Sequence, residues 1–258
     1  MARGWPIALA GVLWLWACGA GDEGVPFMND QAAANEDRPA VPSAPPRLPA
    51  TSTSTSSTTP STTTSTTTVA PVFAASIGTV TAEELGGSWR PGCPVGIDDL
   101  RWVGVTHWND HGETVAGVLV VHADHADAIV TVFARLFDAG FPIHSMRPVT
   151  EFDSDDDRSM QANNTSAFNC REIAGRPGVW SQHAYGGAVD INPLVNPWVR
   201  GARVDPPEGA PFVERDASVT GLIVDGDVVT QAFADIGWGW GGDWTGTLDY
   251  QHFSHNGR

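Results

Sequence analysis

Basic residues are scarce. Against 30 Asp and Glu stand only 14 Lys and Arg, a formal net charge of −16 at pH 7. Nucleic acids and anionic lipid surfaces are both held through a basic face, so this balance argues against either as an electrostatic docking partner. Long hydrophobic runs are lacking too: the N-terminal apolar stretch, Pro6 to Ala17, is too short to span a bilayer comfortably. Cysteine is limited to three residues, Cys18, Cys93 and Cys170. From Gly19 to about Pro71 neither strand alternation nor helical periodicity is found, which removes the first quarter of the chain from any hydrophobic core.

What is present at the start reads as delivery. Residues 1–17 have the form of an export signal, with Arg3 as the positive n-region ahead of the apolar run. The run ends Leu15-Trp16-Ala17-Cys18-Gly19, which resembles a bacterial lipobox, in which the Cys becomes the lipidated first residue of the mature protein. Two or more acyl chains on Cys18 would hold the protein stably at a membrane, where one chain is marginal. The competing reading is an ordinary secretory signal with an incidental Cys. Either places the protein outside the cytoplasm, lipid-anchored at a bacterial cell membrane or within the wall.

Residues 18–71 form a linker. Residues 51–68 are Ser or Thr throughout except Pro60, after a Pro-rich stretch from Arg38 to Ala50. Such a tract buries too little apolar surface to offset its ordering entropy, so disorder is expected. Its roughly 55 residues would span about 40 Å as a coil and up to about 170 Å as polyproline II.

Residues 72–258 are long enough for one hydrophobic core. Leu100–Val105 and Val115–Val121 are β-rich runs, and Asn109-Asp-His-Gly112 between them reads as a hairpin turn. A helix follows, with Asp124 as N-cap, Ala126, Ile129, Val130, Phe133, Leu136 and Phe137 on one face, and Gly140 as its stop. Phe141–Val149 reads as a strand, Glu151–Asp157 as an acidic loop and Asn192–Pro207 as an ordered loop. Asp227 caps a second helix through Ala234, and Tyr250–Phe253 reads as a final strand. Strands and helices are mixed without regular βαβ alternation. The expected class is α+β: a single domain with a central, mostly antiparallel sheet flanked by helices. If Cys18 is lipidated, Cys93 and Cys170 remain as a disulfide pair in an oxidising compartment.

Two short segments carry the chemistry: Ser181-Gln-His-Ala-Tyr-Gly-Gly-Ala-Val-Asp190 and Asp249-Tyr-Gln-His-Phe253. A hydrolytic zinc ion takes three ligands drawn from His and carboxylate and leaves a fourth position to water. His183, Asp190 and His252 supply that set for one Zn2+ per chain, and Asp249 is the candidate general base, with Asp243 and Glu214 as alternatives. Residues three apart on a straight strand face opposite ways, so Asp249 and His252 converge only if Asp249 precedes the strand.

The pattern Ser-x-His-x-x-Gly-x-Ala-x-Asp, then acid-x-x-His-aromatic, resembles the zinc D-alanyl-D-alanine carboxypeptidase family, which also contains L-Ala-D-Glu endopeptidases. The resemblance runs from about Phe141 to the end and implies a hedgehog/DD-peptidase-like fold. It implies that His183, Asp190 and His252 bind zinc, that Asp249 is the base, and that Ser181 contacts the substrate or supports a ligand. A family Arg that holds the substrate carbonyl or carboxylate is matched by Arg147, within Ile143-His-Ser-Met-Arg-Pro-Val149.

Other features have competing readings. Trp238, Trp240 and Trp244 read either as a wall gripping the substrate, with Trp240 as its contact, or as packing against a sheet. His122 and His125 read as capping residues rather than ligands, and His255 as a possible substitute ligand close to the chain end. The expected function is an exported zinc peptidase cutting a bond of the peptidoglycan stem peptide, either L-Ala-D-Glu or D-Ala-D-Ala. The alternative is a non-catalytic wall-binding lipoprotein whose zinc site is structural. Oligomeric state is not legible.

Overall fold

The computed structural model describes residues 70–258. The export signal 1–17, Cys18 and the linker up to residue 69 lie outside the described residues. The first layer is an antiparallel meander, β1 (Ala75–Thr79), then helix α1 (Ala82–Leu85), β2 (Leu100–Trp108) and β3 (Thr114–His122), with strand order β1-β2-β3. α1 begins in a capping box: Glu84 N–H donates to Thr81 Oγ1 and Thr81 N–H to Glu84 Oε2. Asn109 builds the hairpin turn with its side chain, Oδ1 accepting from the N–H groups of His111 (2.9 Å) and Glu113 (3.0 Å).

Cross-strand register divides the meander into two faces. Val103, Val105, Leu119 and Val121 point to one side, where they join the main core. Leu100 and Val120 point to the other, into a second cluster with Leu85, Phe168 and the Cys93–Cys170 disulfide. A sheet covered on both faces needs little polar alternation, hence the nearly continuous apolar run of β3.

Against the first face lies α2 (Ala126–Asp138), which buries Ala126, Ile129, Val132, Phe133, Leu136 and Phe137 at helical spacing. Its start differs from expectation. A 3-10 turn, Ala123–His125, precedes it, and the acceptor for the Asp124 N–H is His122 Nδ1 (3.2 Å), so Asp124 lies outside the helix and His125 is the N-cap residue. Val132 also replaces Val130 in the buried set. The segment Phe141–Val149 holds only the short β4 (Ser145–Met146), and the expected longer strand is absent. Pro142 and Pro148 remove ladder donors. Two neighbouring N–H groups are taken by side-chain amides, His144 by Asn192 Oδ1 and Arg147 by Asn164 Oδ1, both at 3.0 Å.

The end of the acidic loop is instead the start of α3 (Asp156–Gln161). Asp155 caps it, and Asp156 and Asp157 lie in its first turn, where the helix dipole favours negative charge. The short β5 (Asn164–Thr165) pairs in parallel with β4. β6 (Ala188–Asp190) follows. The expected loop 192–207 contains a hairpin, β7 (Trp198–Arg200) and β8 (Arg203–Asp205). α4 (Val228–Asp235) starts at Asp227, whose Oδ1 accepts from Val229 and Thr230 N–H, both 2.9 Å.

β9 (Gly239–Trp240), β10 (Leu248–Asp249) and β11 (His252–Ser254) complete two small antiparallel sheets, ordered β6-β11-β9 and β10-β7-β8. Phe253 stacks on Phe233 of α4 at 4.1 Å, which ties the final strand to the helical layer. The class is α+β, with mostly antiparallel sheets and few helices. No helix among the described residues is long and apolar enough to cross a membrane.

Candidate functional site

Three buried side chains meet where these two small sheets approach. His183 comes from the 3-10 turn Gln182–Tyr185, which Ser181 caps by accepting the His183 N–H at 3.4 Å. Gly186 ends the turn at φ 65°, and a Cβ there would lie 2.5 Å from the backbone N of His122. The same closeness lets the Gly186 carbonyl accept the His122 N–H at 2.9 Å. Only glycine meets both demands without strain. Asp190 ends β6, and the antiparallel register sets it directly opposite His252 on β11.

Each imidazole is oriented from behind. Nδ1–H of His183 donates to the Ala167 carbonyl at 2.6 Å, and Nε2–H of His252 donates to the Arg258 carbonyl at 3.3 Å. The remaining nitrogens, His183 Nε2 and His252 Nδ1, lie 3.2 Å apart, at 3.1 and 3.0 Å from the two Asp190 carboxylate oxygens. A tetrahedral zinc with bonds of about 2.0–2.1 Å separates its ligand atoms by roughly 3.3 Å, so the donor set fits the ion in chemistry and spacing. Outward nitrogens tied to carbonyls and inward lone pairs converging are what metal-binding histidines require. Among the described residues no other His, Cys, Asp or Glu group converges in this way.

Burial alone would raise the Asp190 carboxyl, but the charges and hydrogen bonds of His183 and His252 hold it below the ordinary carboxylate range. Burial alone would lower His252, but the hydrogen bond and charge of Asp190, with Asp249 behind, raise it.

Asp249 is delivered by a different strand. It ends β10, paired to Trp198 of β7, and the two-residue turn Tyr250-Gln251 leads into β11. Because Asp249 and His252 occupy two strands in two sheets, the opposite-face rule for a single strand does not separate them. Gly241 makes room, since a Cβ at that position would lie 2.5 Å from the Asp249 carbonyl. Asp249 Oδ1 is sealed from solvent and has no hydrogen-bond partner. Burial pushes the Asp249 carboxyl up to about 6, with Asp190 adding to the rise and His252, His183 and Arg171 opposing it.

These groups line a cleft of about 350 Å3 with walls from Trp180, Trp198 and Trp244. The expected cation is not there. Arg147 is half exposed, 3.6 Å from Glu151 and over the Phe152 ring, and it does not line the cleft. Arg171 does. Its Nη2 bonds Asp156 at 2.7 Å, and its Nε is buried without a partner. Burial would lower its guanidinium, but the charges of Asp156, Asp190 and Asp249 keep it raised. The one signal for it in the sequence is its place beside Cys170, where the disulfide fixes the backbone.

Trp240 is not in the cleft either. It is buried, stacks on Phe253 and donates its Nε1–H to the Tyr250 carbonyl at 2.9 Å, so it packs against the sheet. Ser181 lines the cleft while capping the His183 turn. Glu214 and Asp243 lie outside it. His255 is exposed and packs on His125, with ring centroids 5.1 Å apart.

Residues 174–255 match a protein-family model described as D-alanyl-D-alanine carboxypeptidase. No curated protein and no solved structure matches the chain. That segment contains His183, Asp190, Asp249 and His252. Over that segment the chain is similar to the D-alanyl-D-alanine carboxypeptidase-like metallopeptidases, a likeness that supports a peptidase acting on cell-wall peptides.

Proposed function

We propose that this protein is an exported zinc peptidase that hydrolyses one bond of the peptidoglycan stem peptide, L-Ala-D-Glu or D-Ala-D-Ala. The observation that carries the reading is the pairing of three converging donor atoms with an adjacent carboxylate oxygen that has no partner. His183, Asp190 and His252 would hold the ion, which supplies a Lewis acid that polarises the scissile carbonyl and makes bound water more acidic.

The chain's own groups do the rest. Asp249 accepts one proton from the attacking water and returns it to the leaving nitrogen, so that OH is added to the carbonyl carbon and H to the amine as the C–N bond breaks. Arg171, held by Asp156 on one side, presents its unpartnered Nε–H to a substrate carbonyl or carboxylate. Trp180, Trp198 and Trp244 give the cleft apolar walls that limit water around the reacting bond.

Lipid anchoring through Cys18, with residues 18–71 as a tether, is part of the same reading and would let the catalytic domain work within the wall. A purely structural metal site would close all four positions with protein ligands and needs no base. The test is mass spectrometry of fragments released from purified peptidoglycan by residues 72–258, with and without chelator. Chelator-sensitive release of a peptide beginning at D-Glu, or loss of one D-Ala, identifies the bond. No release from folded, zinc-loaded protein refutes the peptidase reading.

A further inference from the structure

Gln251 is the residue of the cleft that neither the metal set nor the base accounts for. It is 2% exposed, yet it lines the cleft beside Asp249 and His252. Its backbone is engaged, the carbonyl accepting the Ile191 N–H at 3.0 Å. Its side chain is not: Oε1 is buried with no hydrogen-bond partner, and the contact of Nε2 is the thioether of Met160 at 3.7 Å, a weak acceptor. Exchanging the two amide atoms only moves the unmet group from oxygen to nitrogen.

A buried carboxamide without partners destabilises a fold, and Leu or Met would fill the same space without that penalty. The turn Tyr250-Gln251 does not require a polar side chain either. Tyr250 faces the other way, over the Arg215 guanidinium at 4.3 Å and towards Trp240. An unmet acceptor and two nearly unmet donors, one residue from a metal ligand and two from the base, match one kind of ligand group. That pattern is one residue of an extended peptide, whose own N–H and C=O point to the same side, whereas those of a single trans peptide bond point opposite ways.

We propose that Gln251 is a specificity-determining residue that hydrogen-bonds the backbone of one extended substrate residue, Oε1 accepting that residue's non-scissile N–H and Nε2 donating to the same residue's carbonyl. Met160, an unbranched and adaptable side chain at the cleft wall, covers Gln251 in the free protein and turns aside when the peptide enters. The inference rests on the peptidase reading above and adds to it the recognition of an amide next to the cleaved bond.

The test compares zinc-loaded wild type with Gln251→Leu, and with Gln251→Met should the first variant fold poorly. Substrates are a purified stem peptide and a series in which each non-scissile peptide N–H in turn is replaced by an ester oxygen. The variant is expected to unfold at the same or a higher denaturant concentration than wild type. Its kcat/KM on the stem peptide should fall tenfold or more, chiefly through KM. One ester should cost wild type a similar factor while the variant treats that ester and the amide alike. A variant with wild-type KM, or one that loses stability and activity together while still distinguishing the ester, overturns the inference and leaves the peptidase reading standing. A folded, zinc-loaded wild type that neither cleaves the stem peptide nor binds it by calorimetry removes both.

Discussion

Two adjacent glycines between the candidate metal ligands His183 and Asp190 provide an internal control for the architecture of the site. At Gly186 the backbone is left-handed, φ 65°, and an added Cβ would sit 2.5 Å from the His122 nitrogen and 3.1 Å from the Val121 carbonyl carbon. At Gly187 the backbone has no such restriction, and the nearest atoms to an added Cβ are ring nitrogens of His255 at 3.4 Å and His125 at 3.7 Å, ordinary contacts with side chains that can move. Placing Ala in a left-handed conformation costs about 1–2 kcal/mol. Forcing a methyl group into packed backbone costs about 1–3 kcal/mol more. Gly186→Ala should therefore lose about 2–5 kcal/mol, whereas Gly187→Ala should stay within about 0.5–1 kcal/mol of wild type, with some gain from a less flexible unfolded chain. The assay is urea unfolding in chelator, which removes any contribution of bound metal, followed by zinc titration of each variant. Gly186→Ala should also bind zinc more weakly, because the displaced turn carries His183. If the two variants unfold within 1 kcal/mol of each other in chelator, the account of why this turn has its shape is wrong.

Further predictions concern separate parts of the molecule. His183→Ala and Asp249→Ala should both abolish turnover, but elemental analysis should find zinc lost only from the first; an active Asp249→Ala protein would place the base elsewhere. Thiol titration of the denatured, unreduced catalytic domain should find no free Cys, because Cys93 and Cys170 are bonded across a separation of 77 residues. Reducing that bond should cost up to about 4–5 kcal/mol of stability in the chain-entropy model; two titratable thiols without reductant would contradict the pairing. Burial lowers the His107 pKa below its ordinary value of 6.5, the Trp108 carbonyl only partly opposing it. The unfolded chain then binds the proton first as pH falls, so His107 costs stability progressively below about pH 6.5. Between pH 7.5 and 5.5 wild type should lose more stability than His107→Gln, and equal slopes would refute this.

The general class and the two chemical segments are legible in the sequence because their constraints are local. A turn that ends in a left-handed glycine, a strand after it, and an acid three residues before a histidine can be read from residue types alone. Arg171 is not legible in this way. Arg147 and Arg171 both lie upstream of the motif, and the choice between them is made by which one the chain brings to the cleft beside Cys170. The tryptophans present the same difficulty: Trp240 packs inward and Trp244 lines the cleft, though both belong to one Gly-Trp-rich segment. The strand expected over Phe141–Val149 is shortened by Asn192 and Asn164, which lie far along the chain. Gln251 carries no local signal, because its unmet hydrogen bonds depend on what surrounds it.

The recognisable part of this protein is not a portable cassette. Residues 174–255 hold every candidate metal ligand, but the Nδ1 proton that aims His183 is held by Ala167, Asp190 is clamped through its backbone to Ser166, and the turn carrying His183 hangs from His122 at the end of β3. Val189 and Phe253, which flank the ligands, share a core with Leu119, Ile129 and Phe133. Transplanting the matched segment alone would carry over the ligand residues without the groups that aim them. The smallest piece of this chain that keeps the site's geometry must therefore begin well upstream of the segment that carries the family likeness, at or before the meander.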